Sequence, residues 1–353
     1  MSSYFPLVGI LVSKGSKEKI FRGDKLFLRG IQQEVQKIGG LSFVFTTGGF
    51  SSAQVTGYFY VDKTKKWAKA VFPLPDVVYN RISSRKAETK NPFIQVVNQC
   101  YQKNIPFFND SFFNKWTIHQ ILQQNKQLLP YLPKTVIYSD LNSVFSMLYR
   151  FKSIYLKPVQ GYKGKGIFKV SVHKGLYELY EQEEKTIFTK EELSEEIKKR
   201  IEEKQYIIQK EIKTDRFEQC KYDLRAICIY NEKHYNIINI GVRKANKGNI
   251  LTHVPNGGEI IHLDKIKNRY DKKELFWLAD EVGKSISAAY HFIGEFSLDI
   301  GLSPNGHPYI FDINSKPMIF DEEYIQNKRN KELAKLFHTL ALKRKETEPP
   351  FHR

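Results

Sequence analysis

Cysteine is scarce. Only Cys100, Cys220 and Cys228 occur, and no CxxC pair is among them. That excludes a zinc ribbon or a disulfide framework and points to a reduced, cytoplasmic setting. Long apolar runs are also missing; nothing approaches the roughly 20 residues that cross a bilayer, so no membrane span is expected. The opening Met1-Ser-Ser-Tyr-Phe-Pro6 lacks a basic segment followed by an apolar one, so no secretory leader is expected either. Acidic residues fall short, 38 against 56 Lys plus Arg, leaving a formal charge of +18 that favours anionic partners without choosing among them. Neither an internal repeat nor a long low-complexity run is found. What is present is 353 residues, 41% hydrophobic and 14% aromatic. Such a chain is too apolar to be disordered and long enough for two or three packed domains.

Strand and helix patterns alternate, which points to an α/β or α+β class. Leu7–Val12 is an apolar run suited to a buried strand. Phe27, Ile31, Val35 and Ile38 follow at helical spacing up to Gly39-Gly40, and Leu41–Phe45 returns to strand. With strands at 76–80 and 105–108 and a helix near 93–102, this predicts a small α/β domain over residues 1–110. A second region opens at Asn114, a helix cap, with Pro130 and Pro133 ending that helix near Leu128. Strand at 135–138, helix at 140–151, strands at 154–158 and 166–172, a Thr189/Glu192 capping box and strand 206–209 follow. The region 223–317 reads mostly as strand. One helix interrupts it, with a capping box at Asp271 and Glu274 and a stripe of Leu275, Leu278, Val282, Ile286 and Ile293. Residues 326–353 read as a basic, helical tail that frays at Glu348-Pro-Pro350.

Three residue sets carry chemistry. Lys157-Pro-Val-Gln-Gly161-Tyr-Lys163-Gly164-Lys165-Gly166 joins two strands, so it is neither a Walker loop nor a dinucleotide fingerprint, both of which run into a helix. It reads either as a flap whose amides and lysines meet phosphate or as an ordinary Gly-Lys hairpin. Asp312 and Asn314 emerge on one face of a strand, and Asp299 on the preceding strand lies beside them across the Ser303–Gly306 turn. Three such oxygen ligands suit a hard cation with phosphates completing its shell; the plain alternative is a polar strand face. Arg225 and Arg243 interrupt apolar strands and need anions, supplied either by Asp223 or by a phosphate or oxyanion. Asn256-Gly257-Gly258 offers amides nearby.

These sets, in this order, resemble the ATP-grasp superfamily of carboxylate–amine ligases, and within it the YheC/YheD family of endospore coat-associated proteins. The resemblance covers about Phe112 to Pro317. Asn114-Lys115-Trp116, Tyr155–Gly161, Tyr206–Gln209, Asp223-Leu-Arg225, Arg243 with Asn256–Gly258, and Gly294–Asp299 leading to Phe311–Pro317 carry it. It implies an ATP-grasp fold, two α/β lobes holding ATP, over residues 111–325, with a lid at about 135–208 and a pre-ATP-grasp domain before it. By the resemblance, Lys115 and Lys157 contact ATP. Gly161, Lys163, Gly164, Lys165 and Gly166 close over its phosphates, and Gln209, Lys210, Glu211 and Ile212 meet adenine and ribose. The superfamily's usual Gln-Glu order is interrupted here by Lys210. Asp299, Asp312 and Asn314 hold Mg²⁺ or Mn²⁺, with Asp312 where many relatives have Glu. Arg225, Arg243, Asn256, Gly257 and Gly258 serve catalysis.

The implied reaction joins a carboxylate to an amine through an acylphosphate, on small-molecule or peptide substrates of acidic character, with spore coat proteins as partners. Two other readings stay open: an ATP-grasp kinase, and a coat-associated binding protein without turnover. Basic clusters at Lys63–Trp67, Lys328-Arg329 and Lys343–Lys345 accompany no nucleic-acid motif, so nucleic acid is not an expected partner.

Overall fold

The computed structural model describes residues 4–16, 19–161, 164–250, 252, 258–320 and 322–347. The first region holds β1 (Leu7–Leu11), β2 (Ser13–Lys14), β3 (Phe21–Arg22), α1 (Lys25–Lys37), β4 (Leu41–Phe50), β5 (Gln54–Val61), β6 (Lys66–Pro73), β7 (Val77–Asn80), α2 (Arg85–Glu88), α3 (Asn91–Gln102) and β8 (Phe107–Phe108). Its sheet runs β6-β5-β4-β1-β7-β8, parallel from β4 through β8 and antiparallel across β4-β5-β6. β1 is buried along its whole length because helices cover both faces, the usual reason a parallel strand reads as an unbroken apolar run.

The second region holds α4 (Lys115–Gln124), β9 (Thr135–Ile137), α5 (Leu141–Phe151), β10 (Ser153–Pro158), β11 (Phe168–His173), β12 (Leu176–Glu181), β13 (Glu184–Phe188), α6 (Lys190–Ile201) and β14 (Tyr206–Lys210). Its antiparallel sheet is ordered β13-β12-β11-β10-β14-β9. Val144, Leu148, Leu193 and Ile197 from α5 and α6 close its inner face. The Thr189/Glu192 capping box is made in both directions.

The third region holds β15 (Arg216–Phe217), β16 (Cys220–Tyr230), β17 (Tyr235–Lys244), β18 (Glu259–Ile261), α7 (Lys272–Ala289), β19 (Glu295–Leu302), β20 (Pro308–Asn314) and α8 (Glu323–Thr347). The sheet order is β18-β17-β16-β19-β20. α7 and α4 bury Leu275, Leu278, Val282, Ile118 and Leu122 against one face; the other face carries charged side chains at its centre and is covered by α8 over Ile227 and Ile229.

Several expectations shift. α7 stops at Ala289, where Tyr290 turns extended, so Ile293 joins the same core from the turn before β19 rather than from the helix. Asp271 caps α7 through the Lys273 N–H, while Glu274 accepts from the Tyr131 hydroxyl at 3.0 Å instead of closing a box. α4 ends at Gln124 because the Asn125 side chain turns the chain, accepting from the Gln127 N–H at 3.0 Å. The hairpins β5–β6 and β12–β13 went unanticipated; most of their side chains are exposed or only partly buried, with Val55, Phe72 and Leu179 reaching a core.

The segment expected as a basic, helical tail forms α8, which returns to the first region and lies along α1. Leu333, Leu336, Phe337 and Leu340 join Phe27, Ile31 and Val35 in one core, each such burial contributing about 1.5–3 kcal/mol. Beneath it Arg329 donates from Nε and Nη2 to both oxygens of Glu295 at 3.0 and 2.8 Å, both side chains fully buried. Arg81 and the Tyr79 hydroxyl reach the same carboxylate. Removing Glu295 strands two guanidinium groups in the interior. Glu295→Ala is expected to lower stability by about 3–5 kcal/mol, read from urea denaturation; a loss under about 1 kcal/mol would show that water or rearrangement replaces the carboxylate.

Candidate active site

The open face of the third sheet carries alternating charges, and strand register puts them side by side. Arg243 on β17 stands opposite Asp223 on β16, Arg225 on β16 opposite Asp299 on β19, and Asp299 opposite Asp312 on β20. Arg243 donates from Nε and Nη2 to both oxygens of Asp223 at 2.8 and 2.7 Å. Arg225 grips Asp299 in the same two-pronged way, at 2.9 Å for each bond. Arg243 Nη2 also lies 3.3 Å from Asp299, which is 4% exposed. Burial works against the Arg243 charge, but Asp223 and Asp299 together hold its pKa above the ordinary value. Its Nη1 is buried and has no hydrogen-bond partner among the described residues. Thr252 adds its hydroxyl to Asp223.

The ladder ends on Asp312, whose carboxylate takes the Lys115 ammonium. Lys115 opens α4, placed there by Asn114, whose side chain accepts from the Trp116 and Thr117 N–H groups at 3.0 and 3.1 Å. One turn further, His119 is buried, and burial with nearby Lys134 pushes its imidazole down to about 4. It is therefore neutral at physiological pH.

The second sheet faces this ladder. Lys157 on β10 donates to Gln209 Oε1 on β14 at 2.6 Å, and Gln209 in turn donates to the Thr135 hydroxyl at 3.1 Å. Burial, then the Lys115 charge, pulls Lys157 down to about 8 against the opposing pull of Asp312, Asp299 and Asp223. Glu211 accepts from Ser153 at 2.6 Å and from Lys221 at 2.9 Å, with Lys169 at 3.6 Å. Burial disfavours its charge, yet these partners hold its carboxyl below the usual glutamate value. Between the sheets lies a cavity of about 110 Å³ lined by Lys115, Lys157, Gln209, Ile212, Asp299 and Asp312 among others.

The structure thus brings Lys115, Lys157, Gln209, Lys210, Ile212, Asp299 and Asp312 to one cavity, with Arg225 and Arg243 bonded to its wall. Glu211 is engaged with Lys221 and Ser153 just behind it. Asn314 stands two residues beyond Asp312 on β20, opposite Ser297. Gly161, Gly164, Lys165 and Gly166 form the turn between β10 and β11, Gly164 and Gly166 at positive φ of 72° and 73°. These residues lie outside the cavity lining, with Ile167 contributing instead. Gly258 precedes β18. Lys163, Asn256 and Gly257, with His253, lie outside the described residues.

Lys221 went unread although it alternates with Asp223 and Arg225 on one strand face, the signal that marks it. Thr252 carried no such signal.

Cations outnumber carboxylates around the cavity, so it suits a polyanion. Among the described residues no three His, Cys, Asp or Glu side chains converge as metal ligands. Asp299, Asp312 and Asn314 nonetheless present the hard oxygens a divalent ion prefers, on adjacent strands beside the ammonium of Lys115. The fit is to a metal that arrives with phosphate oxygens, since the protein's carboxylates are already matched by protein cations.

The sequence model of the YheC/D like ATP-grasp family matches residues 104–340. The chain is 28% identical over 332 residues to endospore coat-associated protein YheD of Bacillus subtilis (strain 168), covering 88% of this chain and 72% of that protein. Among solved structures, it resembles D-alanyl-alanine synthetase A from Vibrio cholerae O1 biovar eltor str. N16961, with TM-score 0.58, 13% identity, and 97% and 99% of the two chains covered. It also resembles macrocyclase MdnC from Microcystis aeruginosa MRC, solved with precursor peptide MdnA, with TM-score 0.53, 12% identity, and 95% and 99% covered. The chain belongs to the YheC/D-like ATP-grasp family and has the ATP-grasp fold.

Lys157 generates two opposed pH effects. Its folded pKa of about 8 lies below the ordinary lysine value, so between the two the unfolded chain binds more protons and its contribution to stability rises with pH. Over the same window the cavity loses positive charge. Tripolyphosphate affinity is therefore expected to fall as pH rises through about 8 while the Lys157 contribution to stability grows, checked by calorimetric titration and urea denaturation of wild type and Lys157→Met. A wild-type affinity that is flat across pH 7–10 would remove Lys157 from anion binding.

Proposed function

We propose that this YheC/D-like ATP-grasp protein is an ATP-dependent ligase that joins a carboxylate to an amine through an acylphosphate. The observation that carries this reading is the meeting of Lys115 and Lys157 with the Arg243-Asp223-Arg225-Asp299-Asp312 ladder in one cavity between two sheets. In this reading residues 135–208 act as the lid, Lys115 and Lys157 bind the phosphates of ATP, and the Gly161–Gly166 turn covers them. Gln209–Ile212 lines the base, with Gln209 holding Lys157 in place.

The reaction needs no side-chain nucleophile. A substrate carboxylate oxygen attacks the γ-phosphorus, and the bond to the bridging oxygen breaks to release ADP. The amine then attacks the acyl carbon, phosphate leaves with the C–O bond pair, and the amine gives up its proton. Asp299, Asp312 and Asn314 would hold Mg²⁺, which offsets the charge of the transferring phosphoryl group when bound. Arg225 aims Asp299 by its two-pronged grip, so that carboxylate keeps one orientation. Arg243 is held rigidly by Asp223, leaving Nη1 as a buried donor for an oxyanion at phosphorus or carbon. Gly257 and Gly258 would supply amides there.

Similarity to YheD, an endospore coat-associated protein, and to MdnC, solved with a precursor peptide, supports a peptide or envelope-material substrate in sporulation. The reading is tested by phosphate release from Mg-ATP across amino acids and acidic peptides, with mass spectrometry of the products. The expected product is an amide with free phosphate; phosphate retained on the acceptor would make the protein a kinase. Lys157→Met is expected to weaken binding of Mg-AMPPNP about tenfold or more, a charged hydrogen bond being worth ~1.5–3 kcal/mol. Asp312→Ala is expected to abolish turnover with circular dichroism unchanged. Full turnover in Asp312→Ala would remove the metal-site assignment.

A further inference from the structure

One cation beside the site has no carboxylate partner among the described residues. Arg85 opens α2 in the first region and lays its guanidinium over the Phe112 ring, Cζ 5.0 Å from the centroid. Lys316 lies 4.6 Å from the centroid of that same ring, but its charge is matched: it pairs with Glu88 and donates to the Ile82 carbonyl at 3.2 Å. Glu88 is fully used, accepting also from Asn80 at 3.0 Å and from the Phe112 N–H at 2.9 Å. These bonds pin α2, Phe112 and the end of β20 together as a rigid shelf. On that shelf Arg85 makes no hydrogen bond or ion pair among the described residues. Burial holds its pKa below the ordinary arginine value, while the charges of Glu88 and Asp312 partly offset that. A half-buried guanidinium stacked on a ring, with no bonded carboxylate, keeps its N–H donors available to an incoming anion.

Its position names the anion. Phe112 stands three residues before Lys115, and Lys316 four residues after Asp312, so the shelf borders the acid end of the ladder from the first region's side. Lys157 and Gln209 approach from the second sheet instead. Lys115, not Arg85, pairs with Asp312, although the Asp312 charge reaches Arg85, so Arg85 borders the reacting centre without a bond to it. The Tyr290 phenol stands near enough to Arg85 to feel its charge. Arg85 is thus set for a group on the acyl donor other than its reacting carboxylate.

We infer that Arg85 anchors a second anionic group on the acyl donor, so that this protein selects di- or polycarboxylate donors, acidic peptides among them, over monocarboxylates. This rests on the ligase reading of the cavity. The test is calorimetric titration of protein saturated with Mg-AMPPNP, using triglutamate against triglutamine. Wild type is expected to bind triglutamate more tightly by about tenfold or more, the worth of a charged hydrogen bond. Arg85→Gln is expected to lose that preference while keeping its melting temperature and its affinity for Mg-AMPPNP. Equal affinity for the two peptides in wild type, binding of neither, or a preference retained in Arg85→Gln each overturns the inference. Weaker Mg-AMPPNP binding in Arg85→Gln would assign the guanidinium to the nucleotide and overturn it as well. Failure of wild type to bind Mg-AMPPNP at all is a separate outcome, which sinks the nucleotide reading itself.

Discussion

The bidentate bond between Arg225 and Asp299 is the constraint on which the rest of the site depends. It crosses from β16 to β19 at the centre of the third sheet, with Arg243 and Asp223 on one side and Asp312 with Lys115 on the other. Each charge on the ladder is held by a neighbour of opposite sign, so a row of ionised groups sits against a dry core without leaving any carboxylate unpaired. Two-pronged Arg–carboxylate geometry also fixes direction. The carboxylates and guanidinium groups of the ladder are therefore held in fixed directions, the arrangement that the proposed metal and phosphate roles require.

The second sheet adds the complementary half. Its Lys157 is buried and held by Gln209, opposite a ladder whose carboxylates help keep it charged. Bringing the two sheets together concentrates cations in a narrow space, a state that an incoming polyphosphate relieves. The third contribution comes from the first region. There α8 returns to α1 and Arg329 locks onto Glu295, four residues before Asp299 on the same strand. The strand that carries Asp299 is thus anchored at its base by a buried ion pair, and the Lys316–Glu88 shelf anchors the end of β20.

Much of this was legible from residue order. Apolar periodicity marked β1, α1, α5 and α7, and strand alternation put Asp312 and Asn314 on one face with Asp299 beside them. Alternation also placed Asp223 and Arg225 together and held the signal for Lys221 that went unused. Less visible were β5–β6 and β12–β13, because strands that are mostly only partly buried mix polar and apolar residues without a clean alternation. The burial of α8 was hidden as well: charged residues are frequent along it, and its inward stripe of Ile325, Leu333, Leu336, Phe337 and Leu340 is interrupted by the buried Arg329 and Asn330.

By itself, then, the order of residues determined the mixed α and β class, the positions of most helices and strands, and which side chains share a strand face, since these follow from periodicities of 3.6 and 2. The tertiary structure alone decided who pairs with whom. Arg243 meets Asp223, Arg225 meets Asp299 and Lys115 meets Asp312 through strand register and the seating of α4, while Glu211 is drawn to Lys221 and Ser153. Arg85 stands against the Phe112 ring, without an ion pair among the described residues, for the same reason. Pairings between residues tens to hundreds of positions apart depend on how sheets stack and chains return, and no local pattern encodes that.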